Sequence, residues 1–185
     1  ELREELVAKG HTFRSDHSDT EVLVHGYEEW GEELPSRLNG MFAFAIWDAR
    51  RSELFLARDR MGKKPLYYST AVPGLRFCFA SELKALVEIP GFPDTVNPHS
   101  VADFLALSYV PDWSTIYKDA NKLPAGHSLT VTSDGVRLRQ YWKAEFSAAP
   151  ARMETAAEKL EELAADSVRR RIVSDVPLGA FLSGG

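Results

Sequence analysis

The 185-residue chain has a single cysteine, Cys78. That excludes an intrachain disulfide framework and fits a reducing, cytoplasmic setting. Cys78 lies between Phe77 and Phe79 in an apolar run, which reads as a small buried hydrophobe rather than a nucleophile. Long hydrophobic runs are also lacking. None approaches the roughly 18–20 residues of a membrane-spanning helix, so no membrane partner is expected. Basic charge is in deficit, with 22 Lys and Arg against 27 Asp and Glu and a net charge of −5. Phosphate binding wants a basic face, so no nucleic-acid partner is expected. Arg169, Arg170 and Arg171 form the only run of three basic residues. The histidines, His11, His17, His25, His99 and His127, show no metal-ligand spacing. With one cysteine beside them, no zinc site and no metal ligands are expected. No Ser-His-Asp set stands out in chain order, and there is no internal repeat or low-complexity tract.

What remains is an ordinary globular balance, 44% hydrophobic and 26% charged, with enough apolar surface for a core. Leu2, Leu6 and Val7 have helical spacing and Gly10 is a stop signal. Ser18-Asp19-Thr20-Glu21 has the form of a capping box, with Ser18 accepting from the first turn and Glu21 reaching back. A helix over about 19–30 follows, burying Val22, Leu23, Tyr27 and Trp30. "GMFAFAIWD" (40–48) has strand period and is apolar on both faces, so cover on both sides is expected. "SELFLAR" (52–58) returns as a hairpin. Strands near 66–69 and 75–80, helices near 81–88 and 98–108, and an irregular stretch over 109–127 come next. A hairpin turns at Ser133-Asp134-Gly135. Beyond a linker, an amphipathic helix over about 153–172 carries Ala156, Leu160, Leu163, Ala164, Val168 and Ile172 on one stripe. Its acids sit early and its arginines late, as the helix dipole prefers. A strand is expected over about 178–182.

Three stretches have chemical potential. "VPLGAFLSGG" (176–185) leads an apolar run into Ser183-Gly184-Gly185, where glycines let backbone N–H groups converge on an anion. Alone that signal is weak, and a turn after a strand competes with it. Helix, buried strand and Gly-rich turn together are the opening of an α/β nucleotide-binding domain. Asp19 sits in a first helical turn, where it stabilises through the dipole; a carboxylate for a ligand's ammonium group is the other reading. "ARDRMGKKPLYY" (57–68) crowds Arg58, Asp59, Arg60, Lys63 and Lys64 around Gly62. Most charged turns are merely solvated, but this one joins two apolar strands and is placed to line a site.

Further along the residues a family pattern emerges. "SDTEVLVHGYEEWGEELPSRLNGMFAFAIWDARRSELFLARDRMGKKPLYY" resembles the latter part of a class II glutamine amidotransferase domain. "FASELKAL", "KLPAGH" and "SDVPLGAFLSGG" narrow the resemblance to the bacterial-type glutamine-hydrolysing asparagine synthetases, nearly end to end and in the family's order. The resemblance implies an α+β fold: an incomplete class II amidotransferase αββα sandwich, followed by the first helix and strand of an α/β ATP-pyrophosphatase domain. Expected domains are 1–147 for the C-terminal part of the amidotransferase domain, 148–152 for a linker, and 153–185 for the start of the synthetase domain.

The implied function of the parent is ATP-dependent asparagine synthesis from aspartate, with glutamine as ammonia donor, through β-aspartyl-AMP. The implied small-molecule partners are glutamine, aspartate and ATP, with Mg²⁺ as cofactor and a homodimer left open. Asp19 matches the acid that holds the glutamine α-amino group, which reverses the local reading. Phe181, Leu182, Ser183, Gly184 and Gly185 match the start of the pyrophosphate loop and are the expected ATP contacts. The family's N-terminal Cys-Gly-Ile, its Arg-Gly-Pro-Asp and its Asn-Gly-Glu are missing, as is the X-Asp-Ser that completes the loop. The sequence therefore reads as an internal fragment, with no catalytic residue of its own and inactive alone. Cys78 cannot substitute, because the chemistry uses the free α-amine of a terminal cysteine as base. Exposed strand edges are expected to make it poorly soluble. A related amidotransferase acting on a different carboxylate, or a non-catalytic scaffold domain, are the alternatives.

Overall fold

Phe55, Leu56 and Ala57 are consecutive and all buried, because the strand they form has a packed layer on each face. In the computed structural model, which describes residues 1–146, 152–172, 174 and 176–180, the chain divides into two compact units, Glu1–Ala144 and Glu145–Gly185.

The first unit holds two antiparallel sheets. Strands β1 (Ala43–Asp48), β2 (Glu53–Arg58), β6 (His127–Thr132) and β7 (Gly135–Gln140) make a four-stranded sheet in the order β1-β2-β6-β7. Strands β3 (Tyr67–Ser69), β4 (Cys78–Ala80) and β5 (Asn121–Lys122) make a three-stranded sheet in the order β4-β3-β5. Helices α1 (Leu2–Ala8), α2 (Asp19–Trp30) and α3 (Leu34–Arg37) precede the sheets, with a 3-10 turn over Gly31–Glu33. Helix α4 (Leu83–Val87) follows β4, and α5 (Pro98–Leu107) precedes β5.

Register sorts the side chains into layers. Phe44 faces Ala57 and Ile46 faces Phe55 across β1–β2. With period-2 alternation these four share one face, packed on Tyr27, Leu34 and Leu38. The other face carries Leu56 opposite Leu129 and Leu54 opposite Val131. It packs on Leu66, Leu123, Tyr68 and Phe77 of the second sheet and its flanks. That sheet's far side, with Tyr67, Cys78 and Ala80, closes on Leu86 of α4, Val72, Phe92 and Ala120. The result is helix, sheet, sheet, helix, the αββα sandwich that the sequence resemblance implies. Phe55 is fully buried and stacks on Tyr27 with ring centroids 5.2 Å apart. Removing such a ring costs roughly 3–5 kcal/mol.

Three expectations need correction. β1 is covered only in part: it is an edge strand, and Trp47 and the preceding Met41 remain more than half exposed. The stretch 109–127 is not wholly irregular, since the two-residue β5 lies in it. Residues 178–180 form no strand; the rest of that expected strand lies outside the described residues. In the second unit, α6 (Met153–Arg171) forms as its periodicity predicts, with Leu160, Leu163, Val168 and Ile172 exposed along its stripe.

Candidate functional site

Asp19 is the first residue of α2, and its position is fixed from both sides. Ser18 caps the helix, its hydroxyl accepting from the Glu21 amide at 3.2 Å. The reciprocal half of the capping box is redirected. The Glu21 carboxylate accepts from the Arg14 amide at 2.6 Å and the Ser15 amide at 2.9 Å, and from the Ser15 hydroxyl. Those bonds, the Arg14 amide first, pull the Glu21 carboxyl down to about 2. Arg3 of α1 holds the same loop, donating to the Ser15 carbonyl at 2.5 Å while its guanidinium lies 4.3 Å from the Phe13 ring centre. The loop entering α2 is therefore tied to two helices. Asp19 itself is exposed. Its Oδ1 accepts from the Thr20 amide at 2.7 Å, and among the described residues Oδ2 accepts from no group.

Asp19 stands at the rim of an open groove of about 640 Å³ that runs along β1. Leu23, Phe42, Phe44 and Ile46 give it an apolar lining, to which Lys64, Pro65 and Ser81 also contribute. Such volumes suit small ligands. Asp19 offers the groove a carboxylate and Lys64 an ammonium group beside its apolar lining.

The loop that presents Lys64 is built by its own charges. Asp59 is buried, and its two oxygens accept from the backbone amides of Met61, Lys63 and Lys64 at 3.0–3.1 Å. Arg58, also buried, donates to the carbonyls of Lys64, Leu123 and Gly62 at 2.7–2.8 Å. Arg60 reaches the carbonyls of Leu38 and Ser36, both at 2.8 Å. The Tyr141 hydroxyl donates to the Arg58 carbonyl at 2.6 Å. The charged turn is therefore a rigid strap, and Lys64 with Pro65 is its contribution to the groove. The charge density of this turn is visible in the sequence, but the role of Arg58 as a structural hub is not, because its partners are backbone carbonyls and one of them, Leu123, lies 65 positions away.

Cys78 lies on β4, with its thiol toward the Ser69 carbonyl at 3.6 Å. Burial pushes the thiol above its ordinary pKa, so the reactive thiolate is suppressed. Phe181, Leu182, Ser183, Gly184 and Gly185 lie outside the described residues, as does most of the linker. No helix among the described residues is long and apolar enough to cross a membrane.

The glutamine amidotransferase domain family matches residues 1–142, and the asparagine synthase family matches residues 159–185. Glutamine-hydrolyzing asparagine synthetase 3 of Bacillus subtilis is 40% identical over 187 residues, covering 100% of this chain and 30% of its own length. Glutamine-hydrolyzing asparagine synthetase 1 of the same organism is 39% identical over 186 residues, covering 100% and 29%. The structure of glutamine phosphoribosylpyrophosphate amidotransferase from B. subtilis, complexed with ADP and GMP, aligns with a TM-score of 0.49 and 21% identity. That alignment covers 77% of this chain and 26% of that one. The chain spans less than a third of the length of these curated relatives.

Proposed function

Since this chain belongs to the glutamine amidotransferase domain family, we propose that it is part of a glutamine-hydrolysing asparagine synthetase. Residues 1–147 supply the later part of the glutaminase domain, 148–152 a linker, and 153–185 the start of the synthetase domain. The observation that carries this reading is the order of two family matches in one chain, amidotransferase over 1–142 and asparagine synthase over 159–185.

The chemistry follows from the need to make a carboxylate electrophilic. In the parent enzyme ATP adenylates the aspartate β-carboxylate and pyrophosphate leaves; Mg²⁺ would supply neutralisation of the phosphate charge. Ammonia released from glutamine attacks the acyl carbon, and AMP departs with the bond electrons to leave asparagine. A shielded path keeps ammonia unprotonated and away from water. Glutamine, aspartate and ATP are cytoplasmic metabolites, and we place the protein there. Within this chain, Asp19 binds the glutamine ammonium group at the groove rim. Phe181, Leu182, Ser183, Gly184 and Gly185 begin the loop that holds the ATP phosphates. No residue of this chain is assigned to Mg²⁺.

The test uses the full-length gene. In an asparagine auxotroph it restores growth; failure to rescue with glutaminase intact favours a relative that amidates another carboxylate. In the purified full-length enzyme, Asp19→Asn removes a charged hydrogen bond worth roughly 1.5–3 kcal/mol. The expected result is a KM for glutamine raised about 10–100-fold, with synthesis from free ammonia unchanged. An unchanged glutamine KM removes Asp19 from the site.

A further inference from the structure

Two histidines that are far apart in their sequence setting meet at the join of α1 and α2. Gly10 takes φ +97°, which reverses the chain after α1 and lets the His11 amide donate to the Leu6 carbonyl at 3.0 Å. This brings the His11 ring over α2, where His25 and Glu28 occupy one face at i,i+3 spacing. His11 Nδ1 lies 3.3 Å from His25 Nδ1, His25 Nδ1 lies 3.1 Å from Glu28 Oε2, and His11 Nδ1 lies 3.7 Å from Glu28 Oε2.

We propose that His11, His25 and Glu28 form a binding site for one divalent transition-metal ion, with Zn²⁺ the best fit. Three lone-pair-bearing atoms form a triangle whose sides match the ligand spacing of tetrahedral zinc, roughly 3.3 Å for bonds of 2.0–2.1 Å. Hydrogen bonding alone serves the triangle poorly. A single Nδ1–H can be aimed along only one side at a time, and the remaining acceptors face each other. A central cation satisfies all three.

The surroundings supply the outer shell that metal-bound imidazoles need. The far nitrogen of His11, Nε2, lies 3.4 Å from Glu29 Oε2, and that of His25 lies 3.8 Å from Glu21 Oε1. The Glu29 carboxylate can accept the His11 Nε2–H, and the nearby Glu21 charge favours the same tautomer of His25, which leaves both Nδ1 atoms free for metal. Lys9 holds Glu29 in place at 2.7 Å, Glu21 is held by the 14–15 backbone, and the Phe13 ring meets His25 edge-on at 4.7 Å. The histidines are mostly buried while Glu28 is 59% exposed, so the fourth coordination position faces solvent. Two imidazoles and a carboxylate suit zinc, and the tetrahedral spacing disfavours the square-planar preference of Cu²⁺ and Ni²⁺. The ion would staple α1 to α2 next to the loop that delivers Asp19. This site does not depend on the functional reading above.

The experiment titrates Zn²⁺ into the chelator-treated full-length protein by calorimetry, with Co²⁺ as a spectroscopic substitute. The expected result is one saturable ion per chain and the intense visible absorption of tetrahedral Co²⁺. His11→Ala and His25→Ala abolish that binding. Glu28→Gln weakens it more than about 10-fold, and Glu29→Gln, which leaves the three ligands in place, weakens it about 10–100-fold with the stoichiometry kept. Glu28 is on the surface, so Glu28→Gln stays interpretable if a histidine variant fails to fold. No saturable binding, a six-coordinate Co²⁺ spectrum, or an affinity unchanged in Glu28→Gln overturns the proposal.

Discussion

Asp59 and Gly126 show how single residues fix the geometry beside the groove. Asp59 spends its buried carboxylate on three amides of its own turn, while its carbonyl accepts from the Gly126 amide at 2.9 Å. Gly126 sits at φ +67°, and a Cβ built there would lie 2.5 Å from the Trp142 carbonyl oxygen, whose residue also donates its amide to the Gly126 carbonyl. Backbone strain at such a φ costs of order 1–3 kcal/mol before any clash. Gly126→Ala is therefore expected to lower stability by at least about 2 kcal/mol, read as a lower midpoint in urea unfolding; an unchanged midpoint refutes the close approach. At this scale the capping signal placed Asp19 in the first turn of a helix, because capping is local; its proposed ligand role came only from the family resemblance. Arg58 stayed hidden, because its carbonyl partner at Leu123 lies 65 positions away and carbonyls leave no mark in composition. His11 and His25 stayed hidden for a similar reason, since the reversal at Gly10 and not their spacing brings them together.

Among elements, Glu32 joins the 3-10 turn to the sheet. It accepts from Thr130 of β6 at 2.8 Å and from Arg137 of β7 at 2.5 Å. Burial alone would raise its pKa, but the Arg137 and Thr130 bonds, with the charges of Arg137 and Arg139, outweigh burial and hold it below the ordinary carboxylate range. A carboxyl lowered in the folded state adds stability above its unfolded pKa and loses it as pH falls through the folded value. Between about pH 7 and about pH 3 the wild-type melting temperature should therefore fall more steeply than that of Glu32→Gln; parallel profiles would show that the carboxylate does not matter. Strands β1 and β2 were legible because a run apolar on both faces means a strand inside a sandwich. The exposure of Trp47 was not legible, because edge position depends on strand order, which alternation does not encode. The two-residue β5 was missed because it is shorter than any period.

At the scale of the whole molecule, the family was legible because motifs in series are far more specific than any one of them. The chain's single cysteine is the pKa-raised Cys78 of β4, on the sheet layer that packs toward α4. The purified 185-residue chain is accordingly expected to release no ammonia from glutamine above the uncatalysed rate, and turnover that survives Cys78→Ser would point to a different nucleophile. Sheet order has a further consequence for how the protein is made. β2 is flanked by β1, made just before it, and by β6, which begins roughly 70 residues later. Tyr141 then ties back to Arg58 across 83 positions. At roughly 5–20 residues per second of synthesis, the β1–β2 hairpin waits several seconds on the ribosome with its Leu56 face unshielded, because the partners Leu123 and Leu129 are made later. The nascent chain's most vulnerable interval is thus set by the distance between neighbouring strands along the message, and ends only when residue 141 has emerged.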